Sequence, residues 1–287
     1  MKYKRLGRSG IVVSDICMGT MTFGSGADEK TSHQILDLSY EAGIDFYDTA
    51  EGYPVPPKPE YAGLTEEIVG RWLKTKPRDS VIIATKVCGP SHGWIKAAVR
   101  SGKTCLDRHN IITAVEGSLR RLQTDYIDLY QLHWPNRSFP HFSKSWPNQI
   151  KFSEANKEQV NAEMLDVLQA LSTCIDAGKI RYCGLSNETP WGLSKFLEIS
   201  KDKNLPKMLS VQNPYNLLNR TYEIGLAEIS LRDKIGLLAY SPLACGYLSG
   251  KYRKGGMPKG SRIERNPDFW TRYKKPNTEN AIEAYYE

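Results

Sequence analysis

"GIDFYDTAEGYP", residues 43–54, decides how the chain is read. It opens as a short apolar run that stops at an acid, Asp48. A phenol, Tyr53, follows five residues on, with Gly52 between them. A short apolar run bounded by glycine and polar residues reads as a buried strand. The same form recurs along the chain. "VIIATK" (81–86) stops at Lys86, and "YIDLYQLH" (126–133) stops at His133. "DICMGT" (15–20), "IRYCGLS" (180–186), "MLSVQ" (208–212) and "IGLLAYS" (235–241) complete the set.

Amphipathic stretches lie between these runs, at 30–43, 65–75, 110–123, 160–178, 189–200 and 221–233. Gly43 suits the C-terminal cap of the first. Thr65 is the expected N-cap of the second, with acids in the turn behind it. Strand then helix, repeated, means parallel strands joined by helical crossovers. Seven such strands in 287 residues predict an α/β fold, a (β/α)8 TIM barrel, over an open doubly wound sheet. Neither an internal repeat nor a linker divides residues 1–287, which read as one domain. "YKRLGRSGIVVSDI" predicts a small β-hairpin around Gly7–Gly10, ahead of the barrel. Two long insertions, 87–108 and 134–158, follow the third and fourth barrel strands. They would stand on the face where the strands end, and loops of that length are usually functional or disordered.

The basic residues exceed the acidic ones by 39 to 32, a net charge of +7, and are dispersed apart from a loose group at 251–275. No basic stripe is interleaved with aromatics, so a nucleic-acid partner is not expected. A local site for a phosphorylated cofactor fits the charge better. The six cysteines form no C-x-x-C and no Cys/His cluster with zinc spacing. No metal site is expected, and reduced thiols in a cytoplasmic protein are the natural reading. "MKYKRLGRSG" lacks the apolar core of a signal peptide. No segment reaches the roughly 18 apolar residues of a membrane span.

In a parallel barrel, all strand ends point to one rim, and neighbouring strands lie about 4.8 Å apart. Asp48, Lys86 and His133 therefore converge on one pocket, and Tyr53 can fold back over it. Each residue alone has an ordinary structural reading, as a cap, a core histidine or a loop tyrosine. Their joint occurrence at adjacent strand ends outweighs those readings. The set suits proton transfer to a carbonyl oxygen. A free tyrosine titrates at about pH 10, and a nearby lysine cation is expected to lower that value. An aspartate paired with the lysine would hold the ammonium, and a histidine would orient the carbonyl. Such a site cannot supply a hydride, so a nicotinamide cofactor is implied. No G-x-G-x-x-G follows a strand, so the dinucleotide must be held without a Rossmann fingerprint.

These motifs resemble the aldo-keto reductase family along residues 1–287. "GIDFYDTAEGYP" is similar to its "G-x-x-x-x-D-T-A-x-x-Y-G" signature, with Pro54 in place of the usual glycine. "IATKV", "DLYQLHWP", "GKIRYCGLSNET", "VQNPYNLLNR" and "AYSPLACGYLSGKY" follow in the family's order. "TMTFG" and the longer loops resemble the branch of bacterial Tas-type reductases and potassium-channel β subunits. The resemblance implies a catalytic tetrad of Asp48, Tyr53, Lys86 and His133, and NADPH extended across the barrel mouth. It implies that Ser186, Asn187 and Gln212 hold the carboxamide and ribose side of the nicotinamide, with Asp48 at its edge. It implies that Tyr240 stacks on the ring and that Ser241, Pro242, Leu243 and Gly246 wrap the pyrophosphate. Lys251 and Arg262 match basic residues on the phosphate side, and Thr20 and Met21 the loop beside the ribose. Met21, Tyr53, His133 and Trp134 are the expected substrate contacts, which suit hydrophobic or aromatic carbonyl compounds.

The family pattern continues beyond "TENAIEAYYE" with an eighth strand and a loop for the adenosine 2′-phosphate. The sequence therefore predicts a barrel short of its last unit, with weak NADPH-over-NADH preference and a tendency to self-associate. NADPH-dependent carbonyl reduction is the leading expectation. A cofactor-sensing interaction module of the channel β-subunit type, and an inactive chain, remain as alternatives.

Overall fold

The computed structural model describes residues 1–91, 99–102, 104–138 and 157–287. Residues 92–98 and 103 of the first long insertion and 139–156 of the second lie outside the described residues. A hairpin of β1 (Tyr3–Arg5) and β2 (Val12–Ser14) opens the chain, with Lys4 opposite Val13. Seven parallel strands follow in sequence order: β3 (Met18–Gly19), β4 (Phe46–Asp48), β5 (Ile82–Val87), β6 (Ile127–Leu132), β7 (Ile180–Ser186), β8 (Ser210–Pro214) and β9 (Gly236–Tyr240). The crossovers carry α1 (Glu29–Glu41), α2 (Leu64–Leu73), α3 (Arg108–Leu122), α4 (Lys157–Asp176), α5 (Pro190–Asp202) and α6 (Leu226–Asp233). The short α7 (Arg262–Arg265) and α8 (Thr278–Tyr286) follow β9. All seven apolar runs read from the sequence are strands of this curled parallel sheet, the (β/α) arrangement of a TIM barrel. Among the described residues, the sheet order starts at β3 and stops at β9.

Side chains alternate between the two faces of a strand. On the inner face, Phe46, Ala84 and Leu129 form a closed apolar floor with Leu6, Val13 and Leu209, so the hairpin plugs the bottom. Two residues further along those same faces stand Asp48, Lys86 and Gln131. The outer faces supply Tyr47, Ile83, Tyr130, Leu185 and Val211 to the larger core beneath the helices. Trp72 of α2 is 1% exposed there, with its ring 4.8 Å from that of Tyr47 and its Nε1 donating to Asp37 at 2.9 Å. The polar rim thus stands on an apolar floor, inside an apolar jacket.

Two local expectations need correction. The helix expected over 221–233 starts only at Leu226; Thr221–Glu223 is a single tight turn. Gly225 separates them at φ +90°, a conformation that a helix cannot include. Thr65 is not the N-cap of α2, because Gly63 holds that position and the Thr65 hydroxyl donates to Phe23 O at 2.7 Å. Gly43 does follow the cap of α1, at φ +86°. Among the described residues, no helix is long and apolar enough to cross a membrane.

Candidate active site

Asp48 ends β4, Lys86 lies one residue short of the end of β5, and His133 follows the last residue of β6. Parallel pairing of β4, β5 and β6 brings them to one rim. Lys86 Nζ donates to Asp48 Oδ1 at 2.5 Å, to Thr49 O at 2.7 Å and to the Tyr53 hydroxyl at 3.5 Å. The Tyr53 and His133 rings meet edge to face, centroids 5.5 Å apart. The four residues read from strand ends and the following loop are therefore neighbours, and each is at most 8% exposed.

The loop carrying Tyr53 is anchored by Glu51. Its buried carboxylate accepts the Cys88 backbone N–H at 2.7 Å and pairs with Arg100. Two connections on the rim, those after β4 and β5, are thereby tied together. Trp134 is 1% exposed and sits behind His133, ring centroids 4.7 Å apart, with its Nε1 donating to Pro90 O at 2.9 Å. Arg137 pairs with Glu188 and also donates to Thr189 at 3.0 Å, joining the connections after β6 and β7. Glu51, Arg100, Arg137 and Glu188 were not singled out from the sequence. Charged residues in loops carry no local sign of burial.

The electrostatics of the pocket follow from its dryness. Burial is the largest single influence on the Lys86 ammonium and opposes it, but Asp48 and Tyr53 together outweigh it and the amine is held above its ordinary value. Burial is also the largest influence on Tyr53 and raises it; Lys86 pulls the other way, and Asp48 adds to the rise. Lys86 lowers the phenol as expected, but the net direction is upward, which corrects the expectation of a lowered value overall. Desolvation of the phenolate outweighs one neighbouring cation that is itself neutralised by a carboxylate. Burial, and then Lys86, push His133 well below the usual imidazole value. Its Nδ1 is buried without a partner among the described residues. The pocket therefore holds a cation, a protonated phenol and a neutral imidazole.

The other side of the rim comes from β7 to β9 and the segment behind them. Ser186 Oγ donates to Gln212 O at 3.0 Å, and Asn187 Nδ2 to His133 O at 2.9 Å. Tyr240 Oη donates to Asn187 Oδ1 at 2.7 Å and accepts from Arg272 at 3.1 Å. Burial raises the Tyr240 phenol to about 12. Thr20 is fully buried, its hydroxyl and backbone N–H both on Asp48 O at 2.9 and 3.0 Å. Met21 is half-buried, and its carbonyl accepts Val55 N–H at 2.9 Å. Pro242, Leu243 and Lys251 are exposed, Ser241 and Gly246 half-buried. Left-handed backbone recurs at Ser241, Ala244, Cys245 and Gly246. A Cβ on Gly246 would come within 2.8 Å of Lys251 Cε, so this lysine folds against the loop. Arg262 stacks over Trp270 at 4.8 Å.

Gln131, Asn216, Arg272 and Tyr273 were not singled out from the sequence. Asn216 donates to both Ser241 O (2.9 Å) and Tyr273 Oη (2.8 Å), tying the loop after β9 to the segment near 272. The signal for Gln131 was present: it stands two residues before His133, on the same face of the same strand.

Comparison with known proteins bears on the family. The family model "Aldo/keto reductase family" matches residues 15–287. The chain is 45% identical over 291 residues to the protein tas of Escherichia coli (strain K12), covering all of this chain and 81% of that protein. It is 34% identical over 271 residues to the uncharacterized oxidoreductase YrpG of Bacillus subtilis (strain 168), covering 94% and 74%. An aldo-keto reductase of Babesia bovis is 42% identical over 213 residues, covering 72% and 73%. The chain belongs to the aldo/keto reductase family and is an NAD(P)H-dependent oxidoreductase.

Proposed function

We propose that the chain reduces an aldehyde or ketone to the alcohol with NADPH, and that Tyr53 gives the proton. The observation that carries this reading is the Lys86 ammonium, held between the Asp48 carboxylate at 2.5 Å and the Tyr53 hydroxyl at 3.5 Å. When bound, NADPH supplies the hydride to the carbonyl carbon. Everything else falls to the chain. Tyr53, kept protonated by burial, donates to the carbonyl oxygen as negative charge develops there. Lys86 is the cation that stabilises the phenolate left behind. Asp48 keeps that cation charged and in place. His133, neutral, donates one hydrogen bond to the carbonyl oxygen and orients it. Met21 borders the substrate, and Trp134 acts on it through the His133 ring that it supports.

The residues present fit the cofactor. Ser186, Asn187 and Gln212 offer hydroxyl and amide groups for a carboxamide, and Tyr240 a ring face beside them. Thr20 and Met21 stand beside the ribose position. The left-handed turns across Ser241–Gly246 favour a concave backbone suited to an anion, and Pro242 and Leu243 are part of that loop. Lys251 and Arg262 supply positive charge for the phosphates. Six free thiols suit a reducing compartment, and a cytoplasmic location is part of the reading.

The test is Tyr53→Phe. With a panel of carbonyl compounds and NADPH absorbance as the readout, turnover should fall by about two orders of magnitude or more. NADPH binding should be retained. An unchanged rate would remove Tyr53 from the mechanism, and an absence of turnover by the unaltered chain would remove the reductase reading.

A further inference from the structure

Gln131 is fully buried on the inner face of β6. A buried amide is normally matched at both its donor and its acceptor, and here both ends are used. Its Nε2 donates to Asp48 Oδ2 at 3.0 Å, and its Oε1 accepts from Gln212 Nε2 at 3.4 Å. Gln212 also donates to that same Asp48 oxygen, at 3.0 Å. These two glutamines come from β6 and β8, with β7 between them. The register partner of Gln131 on β7 is Gly184. A Cβ there would come within 2.5 Å of Ser210 Oγ and 3.4 Å of Leu129 Cδ1. A side chain at 184 would therefore press on the layer of Leu129 and Ser210, two residues before the two glutamines on their strands.

From this geometry we infer that Gln131 is a positioning residue for Asp48. It keeps the second carboxylate oxygen bonded, and the first aimed at Lys86, whether or not Gln212 is engaged by a cofactor amide. The inference rests on the reductase reading given above. Oδ1 of Asp48 is taken by Lys86, so Oδ2 must find its donors inside the barrel. If Gln212 were its only donor, use of that amide by a ligand would leave a buried carboxylate oxygen short of a partner. The carboxylate would then rotate toward another donor and loosen its hold on Lys86, and through Lys86 on Tyr53. With Gln131 in place, Gln212 can exchange partners while Asp48 stays fixed. Gln131 itself touches no reacting atom.

The informative variant is Gln131→Met, an unbranched side chain of similar volume that has no donor and only a weakly accepting sulfur. In the protein without cofactor, Tm should fall. That fall should shrink or vanish when Asp48→Asn is already present, because the lost bond is specific to the carboxylate. NADPH followed by fluorescence titration should bind Gln131→Met with a Kd within about threefold of the unaltered chain. Turnover should fall by roughly ten- to a hundredfold. The primary isotope effect from deuterated NADPH should rise, because the hydride step alone has slowed. A merely structural role would lower the active fraction and leave the isotope effect unchanged. A Tm loss of equal size in both backgrounds, or an unchanged isotope effect, overturns the inference. If Asp48→Asn does not fold, the binding and isotope measurements carry the test. If the unaltered chain reduces no carbonyl, the reductase reading has failed, and the Tm comparison still decides the role of Gln131.

Discussion

The rim over β4 to β7 and the rim over β8 and β9 are built in opposite ways. The first is cross-linked by buried ion pairs. Lys86–Asp48, Arg100–Glu51 and Arg137–Glu188 have side chains no more than 13% exposed, and each joins the end of one strand, or the connection after it, to that of a neighbour. The second consists of a loop with Leu243 55% exposed. Its ion pair, Arg253–Glu283, is about one-third exposed on both sides. β9 itself is half open, whereas every described residue of β6 is buried. The contrast matches two physical demands. Proton transfer needs groups fixed within a few tenths of an ångström in a dry site, where each charge counts for more. A dinucleotide must enter and leave, so the groups proposed to grip it stand where solvent reaches them.

That contrast can be broken most directly at Glu51. Glu51→Gln leaves the Arg100 cation buried without its carboxylate, and loss of one partner of a buried pair costs about 3–5 kcal/mol. Urea denaturation should show a loss in that range, together with lower turnover, since the Tyr53 loop loses its anchor. Arg253→Gln on the open rim should leave Tm unchanged within error. Equal effects at the two sites would erase the distinction.

The second test is pH. Burial and Lys86 hold the folded-state value of His133 well below 6.5. The unfolded chain therefore takes up a proton below about pH 6.5 that the folded chain refuses. The stability linked to His133 is complete above that pH. It is lost as pH falls, by at most about 1.4 kcal/mol per pH unit. Thermal unfolding between pH 7 and 5 should decline less steeply in His133→Asn. A parallel decline would mean that the imidazole is protonated in the folded state.

The exposed rim should respond in affinity and leave turnover alone. Lys251→Ala should weaken NADPH binding by roughly tenfold, the size of one charge-assisted hydrogen bond, with turnover at saturating cofactor unchanged. A fall in turnover at saturation would place Lys251 in the chemical step. Tyr240→Phe keeps the ring and removes the hydroxyl bridging Asn187 and Arg272, so its effect should be smallest, a few-fold rise in KM for NADPH. A loss as large as that of Tyr53→Phe would move Tyr240 into the proton-handling group.

Much of this molecule was written locally. Short apolar runs ending at Asp48, Lys86 and His133 are read from neighbours in the chain, and parallel pairing then has one way to bring those ends together. The strands could therefore be named before the structure was seen, and "IRYCGLS" matches β7 residue for residue. Helix starts were less legible. Thr65 has the composition of a cap, but its hydroxyl goes to Phe23, and one left-handed glycine, Gly225, moved the start of α6. Tertiary structure decided what depends on distance across strands and on exclusion of water. It set Tyr53 upward although a lysine stands beside it, because burial of the phenolate outweighs a cation already paired. It brought Gln131 of β6 and Gln212 of β8 onto one oxygen of Asp48, across the strand between them. Hydrophobic periodicity is a property of sequence neighbours, whereas the energy of a charge depends on everything within several ångströms of it, and that neighbourhood exists only in the folded chain.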